Sequence, residues 1–393
     1  MPVLKRPEAD GFPVVSQRAD TAIYVHWPFC AKKCPYCDFN SHVRDQVNQK
    51  AWQAAMLKEI RTFAGKFPNL KATSIFFGGG TPSLMPPETT AAVIQEVKKH
   101  WSPGSDIEIT LEANPSSVEA GRFADYAAAG VNRVSVGVQS FKDTSLKFLG
   151  RLHSAGEAEK ALKVAQDNFS RISFDLIYAL PQQSLEDWRQ ELQYALDFSP
   201  SHLSLYQLTI EEGTAFYHQF QRGKFTLPNE DEAAALFDLT QEMTEAAGLP
   251  AYEISNHAKP GQESQHNLTY WRGGYYAGIG PGAHGRLPGE QSGLLAHHQI
   301  KRPEDWLKAV QTNGFGIEET DIVDIHQAQI ERVMMGLRLK QGVETSSLDE
   351  SILDTGALED LVGSGHIGQS GNRIFLTDKG RPLLNFLLPK ILN

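Results

Sequence analysis

Between residues 21 and 208, short apolar runs alternate with segments whose apolar positions recur every three or four residues. Such alternation predicts repeated βα units and a parallel sheet. Six runs read as strands: residues 22–27, 73–77, 107–111, 133–138, 171–178 and 203–208. A helix is expected over 49–66, where Trp52, Met56, Ile60 and Phe63 fall on one face. Ser154-x-x-Glu157 and Ser184-x-x-Asp187 have the pattern of capped helix starts, the second with Asp for the usual Glu or Gln. Each cap is worth about 1 kcal/mol. Gly130 stands where a helix would stop.

From about residue 227 the pattern changes. Asn229-Glu230-Asp231-Glu232 opens a long helix to about 247, followed by an irregular stretch rich in Tyr, Trp, Gly and His over 252–298. Helices are then expected at 332–339, 347–353 and 358–364, a β run at 374–376 and a last helix from 377. That order suggests a winged-helix-like element. The expected division is a loose tail over 1–20, a βα domain over 21–226 and a mixed α+β accessory domain over 227–393.

Composition narrows the class. The chain is 41% hydrophobic and 21% charged, with no run near the ~18 apolar residues a membrane span needs. An integral membrane protein is therefore not expected. Residues 1–20 lack the apolar core of a signal peptide, so a cytoplasmic protein is expected. The net charge of −10, with no basic block, argues against nucleic acid as a partner. A homodimer is neither required nor excluded by the pattern.

The candidate chemistry is concentrated in Phe29-Cys30-Ala31-Lys32-Lys33-Cys34-Pro35-Tyr36-Cys37-Asp38-Phe39-Asn40, which holds all 3 cysteines of the chain. An odd number cannot all form disulfides, and such close spacing suits a metal. Lys32 and Lys33 are expected to favour the thiolate form. A zinc site with His26 or His42 as fourth ligand fits the spacing. So does an iron–sulfur cluster, which normally takes four thiolates; three would leave one iron open.

Several strands end in residues that a core would not use. The second runs into Gly78-Gly79-Gly80-Thr81-Pro82, the third ends at Glu112-Ala113-Asn114-Pro115, and the fourth at Gln139-Ser140. Asp175 lies inside the fifth and is expected to face inward. In βα barrels the C-terminal strand ends build the active site, so these groups should converge with the cysteine loop on one mouth. A second glycine cluster, Gly278 to Gly285, contains a formal GxGxxG. Pro281 interrupts it, and neither a strand before it nor a helix after it is evident, so a tight loop near the mouth is expected rather than a dinucleotide site.

CxxxCxxC with an aromatic before its last cysteine resembles the motif of the radical SAM enzymes. Together with Tyr24-Val25-His26-Trp27-Pro28-Phe29-Cys30, Gly78-Gly79-Gly80-Thr81-Pro82, Leu111-Glu112-Ala113-Asn114-Pro115, Gly137-Val138-Gln139-Ser140 and Leu149-Gly150-Arg151, it is similar to the HemN/HemW branch of that family over nearly the whole chain. The resemblance implies a partial (β/α)6 barrel. It implies that Cys30, Cys34 and Cys37 ligate a [4Fe–4S] cluster whose open iron takes S-adenosylmethionine. Tyr24, Gly79, Gly80, Thr81, Glu112, Gln139, Arg151 and Asp175 would line the S-adenosylmethionine site, with Tyr36 and Thr209 near the adenine.

Two features point to the haem-chaperone side of the branch. Phe39 stands where the coproporphyrinogen III dehydrogenases carry a fourth cysteine, and His266-Asn267-Leu268-Thr269-Tyr270-Trp271 matches HNxxYW. That side implies haem as ligand, with His266 as the candidate anchor, and recipient haem proteins as partners, membrane respiratory enzymes among them. The other side implies radical decarboxylation of a porphyrinogen. One departure is Ala179, where the family usually has Gly; little effect is expected.

Overall fold

The computed structural model describes residues 18–104, 106–289 and 293–393. Most of the expected tail, residues 1–17, lies outside the described residues, and its last two already belong to a strand.

That strand, β1 (Ala19–Trp27), is buried along most of its length. β2 (Phe29–Cys30) and β3 (His42–Val43) pair in parallel and close the cysteine loop. There follow α1 (Gln49–Lys66), β4 (Leu70–Gly79), α2 (Pro87–His100), β5 (Glu108–Ala113), α3 (Ser117–Ala120), α4 (Phe123–Ala128), β6 (Arg133–Gln139), α5 (Asp143–Phe148), α6 (Ala155–Asn168), β7 (Arg171–Tyr178), α7 (Leu185–Asp197) and β8 (His202–Gln207). β1, β4, β5, β6, β7 and β8 lie side by side in that order, all parallel. All six expected strands are present. The capping boxes at Ser154 and Ser184 form, and Gly130 takes a φ of +106° just after α4.

Beyond α8 (Ala215–Gln221) and α9 (Glu230–Ala246) the structure departs from expectation. The stretch expected to be irregular holds β9 (Asn256–Ala258), α10 (Gln265–Trp271), β10 (Tyr275–Ile279), β11 (His284–Pro288) and β12 (Leu294–Gln299). After α11 (Pro303–Asn313), β13 (Ile317–Val323) completes an 11-stranded sheet in the order β13-β12-β11-β10-β1-β4-β5-β6-β7-β8-β9. The sheet therefore runs straight through the expected boundary at 226/227. β10 does lead into the second glycine cluster, contrary to expectation, but β11 follows it and no helix does. Gly280 and Gly282 have φ of +96° and +75°, and their missing Cβ atoms let the loop press on His26 and Asn40. Glu59 of α1 fixes the same loop, accepting from Gly280 N and Gly316 N at 2.8 Å and from Trp306 Nε1 at 3.1 Å.

The last part is α12 (Ile325–Gly336), β14 (Val343–Glu344), α13 (Thr355–Gly363), β15 (Ile367–Ser370), β16 (Arg373–Leu376) and α14 (Leu384–Ile391). Its three-stranded sheet, β14-β16-β15, covers a separate core that includes Val333, Leu337, Ile352, Ile374 and Ile391. No helix forms at 347–353. Asp349 Oδ1 instead accepts from Ser351 N and Ser351 Oγ, a local bond that competes with helix formation. The last helix starts at Leu384 rather than 377, because Thr377 Oγ1 is held by Gly365 O and His366 O.

Candidate cofactor site

Side chains on a strand alternate between faces. One face of β4 to β8 packs on the helices and the other lines the barrel interior. At the C-terminal strand ends the interior widens into a pocket. Its wall includes Cys30, Cys34, Tyr36, Cys37, Gly79, Gly80, Thr81, Glu112, Gln139, Arg151 and Asp175. Of the expected site residues, three lie elsewhere. Tyr24 stands deeper in the barrel, its hydroxyl 3.0 Å from His26 Nδ1 and its ring stacked on Phe76. Thr209 is exposed just past β8, off the pocket wall. His266 is at the opposite end of the barrel. Asn114 and Ser135 are pocket residues that the sequence reading did not single out. Asn114 sits in the quoted Glu112-Ala113-Asn114-Pro115 run, so its signal was present.

The three cysteines are half-buried, unpaired thiols. Thr81 Oγ1 donates to Cys30 Sγ at 3.3 Å, Arg151 Nη1 to Cys34 Sγ at 3.5 Å, and Ser41 Oγ lies 3.9 Å from Cys37 Sγ. Donors aimed at sulfur suit thiolate ligands. Burial pushes the Cys30 and Cys37 thiols up, and the nearby Lys33 only partly offsets this at Cys37. The expected effect of the lysines is thus outweighed, and metal loading must release protons.

The zinc alternative is weakened at both of its candidate fourth ligands. His26 spends both nitrogens, on Tyr24 Oη and on Asn40 O at 2.9 Å, and His42 Nε2 bonds Asn40 Oδ1 at 3.1 Å. Among the described residues, no three His, Cys, Asp or Glu side chains converge on one ion. A cubane has no need of such convergence, since each thiolate binds a different iron. The residues present fit a [4Fe–4S] cluster.

Beside the thiols lie two carboxylates. Burial, with a smaller contribution from Asp175, pushes Glu112 up to about 8; Asp175 is also raised by burial. Glu112 Oε2 accepts only one weak bond, from Gly79 N at 3.3 Å, and Asp175 Oδ1 accepts from Ser135 Oγ at 3.2 Å. Two buried carboxylates in one pocket favour a cationic ligand group. Arg151 is less free than a carboxylate clamp would be. Nη2 donates to Asn114 Oδ1 at 2.6 Å and Gly137 O at 3.0 Å, Nη1 faces Cys34 and Tyr36, and its buried Nε has no partner. Gln139 has a φ of +69° at an irregularity in β6, a strained conformation for a residue with a side chain. A Cβ on Gly79 would strike the His26 ring, and one on Gly80 the backbone of Pro28 and Phe29. Both are glycine so that β4 can close on the cysteine loop.

His266 does not reach this pocket. It opens α10, whose first amides bond Glu108 at the N-terminal end of β5: Gln265 N at 3.2 Å and His266 N at 3.1 Å. Arg171 pairs with the same carboxylate at 2.8 Å. The His266 ring is 1% exposed, Nδ1 bonds Ser74 Oγ and Nε2 bonds Tyr270 Oη, both at 2.8 Å. Neither nitrogen is open to iron. HNxxYW here plugs the barrel floor.

The radical SAM superfamily matches residues 24–195. The heme chaperone HemW of Escherichia coli (strain K12) is 37% identical over 93% of this chain and 97% of its own length. This chain belongs to the HemW family of radical SAM proteins. A mouse relative of the HemW-type chain, radical S-adenosyl methionine domain-containing protein 1, mitochondrial, is 42% identical over 86% of this chain and 78% of its own. Among solved structures, coproporphyrinogen III oxidase (HemN) of Escherichia coli matches with a TM-score of 0.80 at 21% identity, covering 96% of this chain and 91% of that one. At that identity the match establishes the fold, a partial radical SAM barrel. In the loop after Cys37, Phe39 is 61% exposed at the rim of the pocket, an apolar side chain held in water. Among the described residues, no helix is long and apolar enough to cross a membrane.

Proposed function

We propose that the protein is a haem carrier in which Cys30, Cys34 and Cys37 hold a [4Fe–4S] cluster and the adjoining pocket holds S-adenosylmethionine. It takes up haem and hands it to recipient haem proteins, membrane respiratory enzymes among them, in a compartment reducing enough to keep three thiols unpaired. The observation that carries the reading is the loop itself. Its three thiols share one pocket with the carboxylates of Glu112 and Asp175, and an exposed Phe39 follows where the dehydrogenases place another cysteine. The Escherichia coli relative is named a heme chaperone.

A bound cluster would supply an open iron and one electron. The chain's own residues do the rest. Thr81, Ser41 and Arg151 direct donors at the sulfurs. Glu112 and Asp175 attract an ammonium group. Tyr36 closes the wall beside Arg151. A second reading, porphyrinogen decarboxylation, is favoured by the fold shared with HemN.

Haem titration of anaerobically reconstituted protein, followed by visible spectroscopy and paired with a coproporphyrinogen turnover assay, tests the proposal. Saturable haem binding without protoporphyrinogen formation is expected. Turnover without saturable haem binding would replace the carrier with the dehydrogenase.

A further inference from the structure

The end of α10 meets α12, β14 and β16 at a pocket of about 190 Å³. Packed chain forms its base. Leu339 and Val343 are buried there, and a Cβ on Gly336 would strike the Val343 side chain. Gly342, at a φ of +66°, lies against Ile374 O with no room for a Cβ. Gly273, at a φ of +65°, turns the chain after α10 onto the stem of Arg332.

Three wall residues are arginines, Arg272, Arg332 and Arg373, against the single carboxylate of Glu344. Their charges are poorly neutralised. The Arg272 side chain forms no hydrogen bond or ion pair among the described residues. Arg332 donates to a neutral group, Ser347 Oγ, at 2.9 Å. Arg373 spends Nη1 on Gln341 O and Gly342 O at 3.3 and 3.2 Å. Its Nη2 stands 3.7 Å from Glu344 Oε2, a half-exposed pair of the kind that contributes little. Glu331, the acid next to Arg332, turns to Arg286 instead, accepting at 3.1 and 3.2 Å. A chain of net charge −10 thus puts a surplus of two positive charges around one pocket. The wall also holds Trp271, whose Nε1 is buried and has no hydrogen-bond partner. A buried donor without an acceptor beside unneutralised guanidinium groups calls for an oxyanion.

We propose that this pocket binds a phosphate group, as inorganic phosphate or a small phosphomonoester. A phosphate dianion matches the surplus charge, which one carboxylate would only halve. Guanidinium groups meet phosphate oxygens through paired N–H donors, and the Trp271 indole N–H gains its acceptor. The volume lies below the usual range for a drug-sized ligand and suits the phosphate with a short tail. The bound group bridges Arg272 and Arg373, and so ties α10, which closes the barrel floor, to the C-terminal sheet. The site is separate from the cysteine loop and does not depend on the haem-carrier reading.

The test uses full-length, cluster-loaded protein in phosphate-free buffer, with ionic strength held constant by sodium chloride. Inorganic phosphate and glycerol 3-phosphate are titrated separately by calorimetry into the native chain, Arg272→Gln, Arg332→Gln and Trp271→Phe. One saturable site is expected, weakened about tenfold or more by each arginine variant. Trp271→Phe keeps a ring under Arg338 and removes only the N–H, and a several-fold loss is expected. Either probe should also raise the melting temperature of the native chain, and raise that of an Arg272→Gln, Arg332→Gln double variant far less. Equal binding of the two probes means that the phosphate alone is recognised; preference for the ester means that its tail enters the pocket. The proposal is overturned if neither probe binds the native chain saturably. It is also overturned if all the variants, melting like the native chain, bind both probes unchanged. Arg272 is exposed, so its variant should fold and keeps the test decisive.

Discussion

The two ends of the barrel are built on opposite principles. At the floor, polar groups are buried and matched. Glu108 takes two amides of α10 and an Arg171 guanidinium, and His266 has a partner on each nitrogen. At the mouth they are gathered and left short. Three thiols, two carboxylates and the Arg151 Nε face one pocket with few strong partners. A buried polar group without a partner costs about 1–3 kcal/mol, so the mouth holds free energy that a ligand can recover and the floor does not. A histidine in a sequence motif and a cysteine in a sequence motif therefore have different uses here. The surroundings of each separate them.

The sharpest way to break the contrast is at the cysteines. Cys34→Ser should abolish cluster loading in anaerobic reconstitution, because two thiolates hold a cubane poorly. The loss should appear as missing visible absorption and missing iron and sulfide. Stability should change little, since Cys34 sits in a half-buried loop. An unchanged visible spectrum would refute the assignment of the mouth.

His266→Ala should do the converse. It removes a fully buried ring and strands Ser74 and Tyr270, which predicts a loss of roughly 3–5 kcal/mol in urea unfolding. The folded fraction should still load its cluster, and any bound haem should keep its spectrum. A haem spectrum that changes while stability does not would return His266 to the haem site.

Much of this arrangement was legible in the chain. Strands β4 to β8 are buried on both faces and bounded by turn residues, so they read as apolar runs, and α1 was readable from its spacing alone. The pocket was legible because polar residues at the ends of successive strands must meet in a barrel. Strands β10 to β13 were not legible. They become strands by pairing outward from β1, and β10 to β12 are short and each carry Gly or His. His266 was misplaced for a related reason. Its partners Ser74 and Tyr270 come together only once α10 enters the barrel, and no local pattern records that.

The carboxylates give a smaller, pH-dependent test. The folded Glu112 holds its proton up to about 8, well above its ordinary range. Its contribution to stability is therefore complete below about pH 4.5 and is lost as pH rises through about 8, at no more than ~1.4 kcal/mol per pH unit. Ligand affinity should run the other way. A cationic group binds the carboxylate, so S-adenosylmethionine should bind more tightly as pH rises from 6 and level off above about 8. Glu112→Gln should flatten both profiles, read by chemical unfolding and by calorimetry. Profiles that keep their slope in the variant would move the effect to Asp175.

The smallest expected effect lies outside both ends, at Ala179. It follows β7 with a φ of +57°, in the left-handed region that penalises a Cβ, and it is 4% exposed. The sequence reading expected this departure from the usual Gly to matter little, but the backbone gives it a cost. Ala179→Gly removes the clash between Cβ and the following carbonyl, worth roughly 1–2 kcal/mol, and gives back part of that gain because glycine is freer in the unfolded chain. A net gain of about 1 kcal/mol in urea unfolding is expected, with cluster loading and ligand affinity unchanged. If the variant is no more stable than the native chain, the packing of the Ala179 methyl compensates the strain. A change in ligand affinity instead would mean that the turn after β7 reaches the pocket through Asp175 and belongs to the mouth.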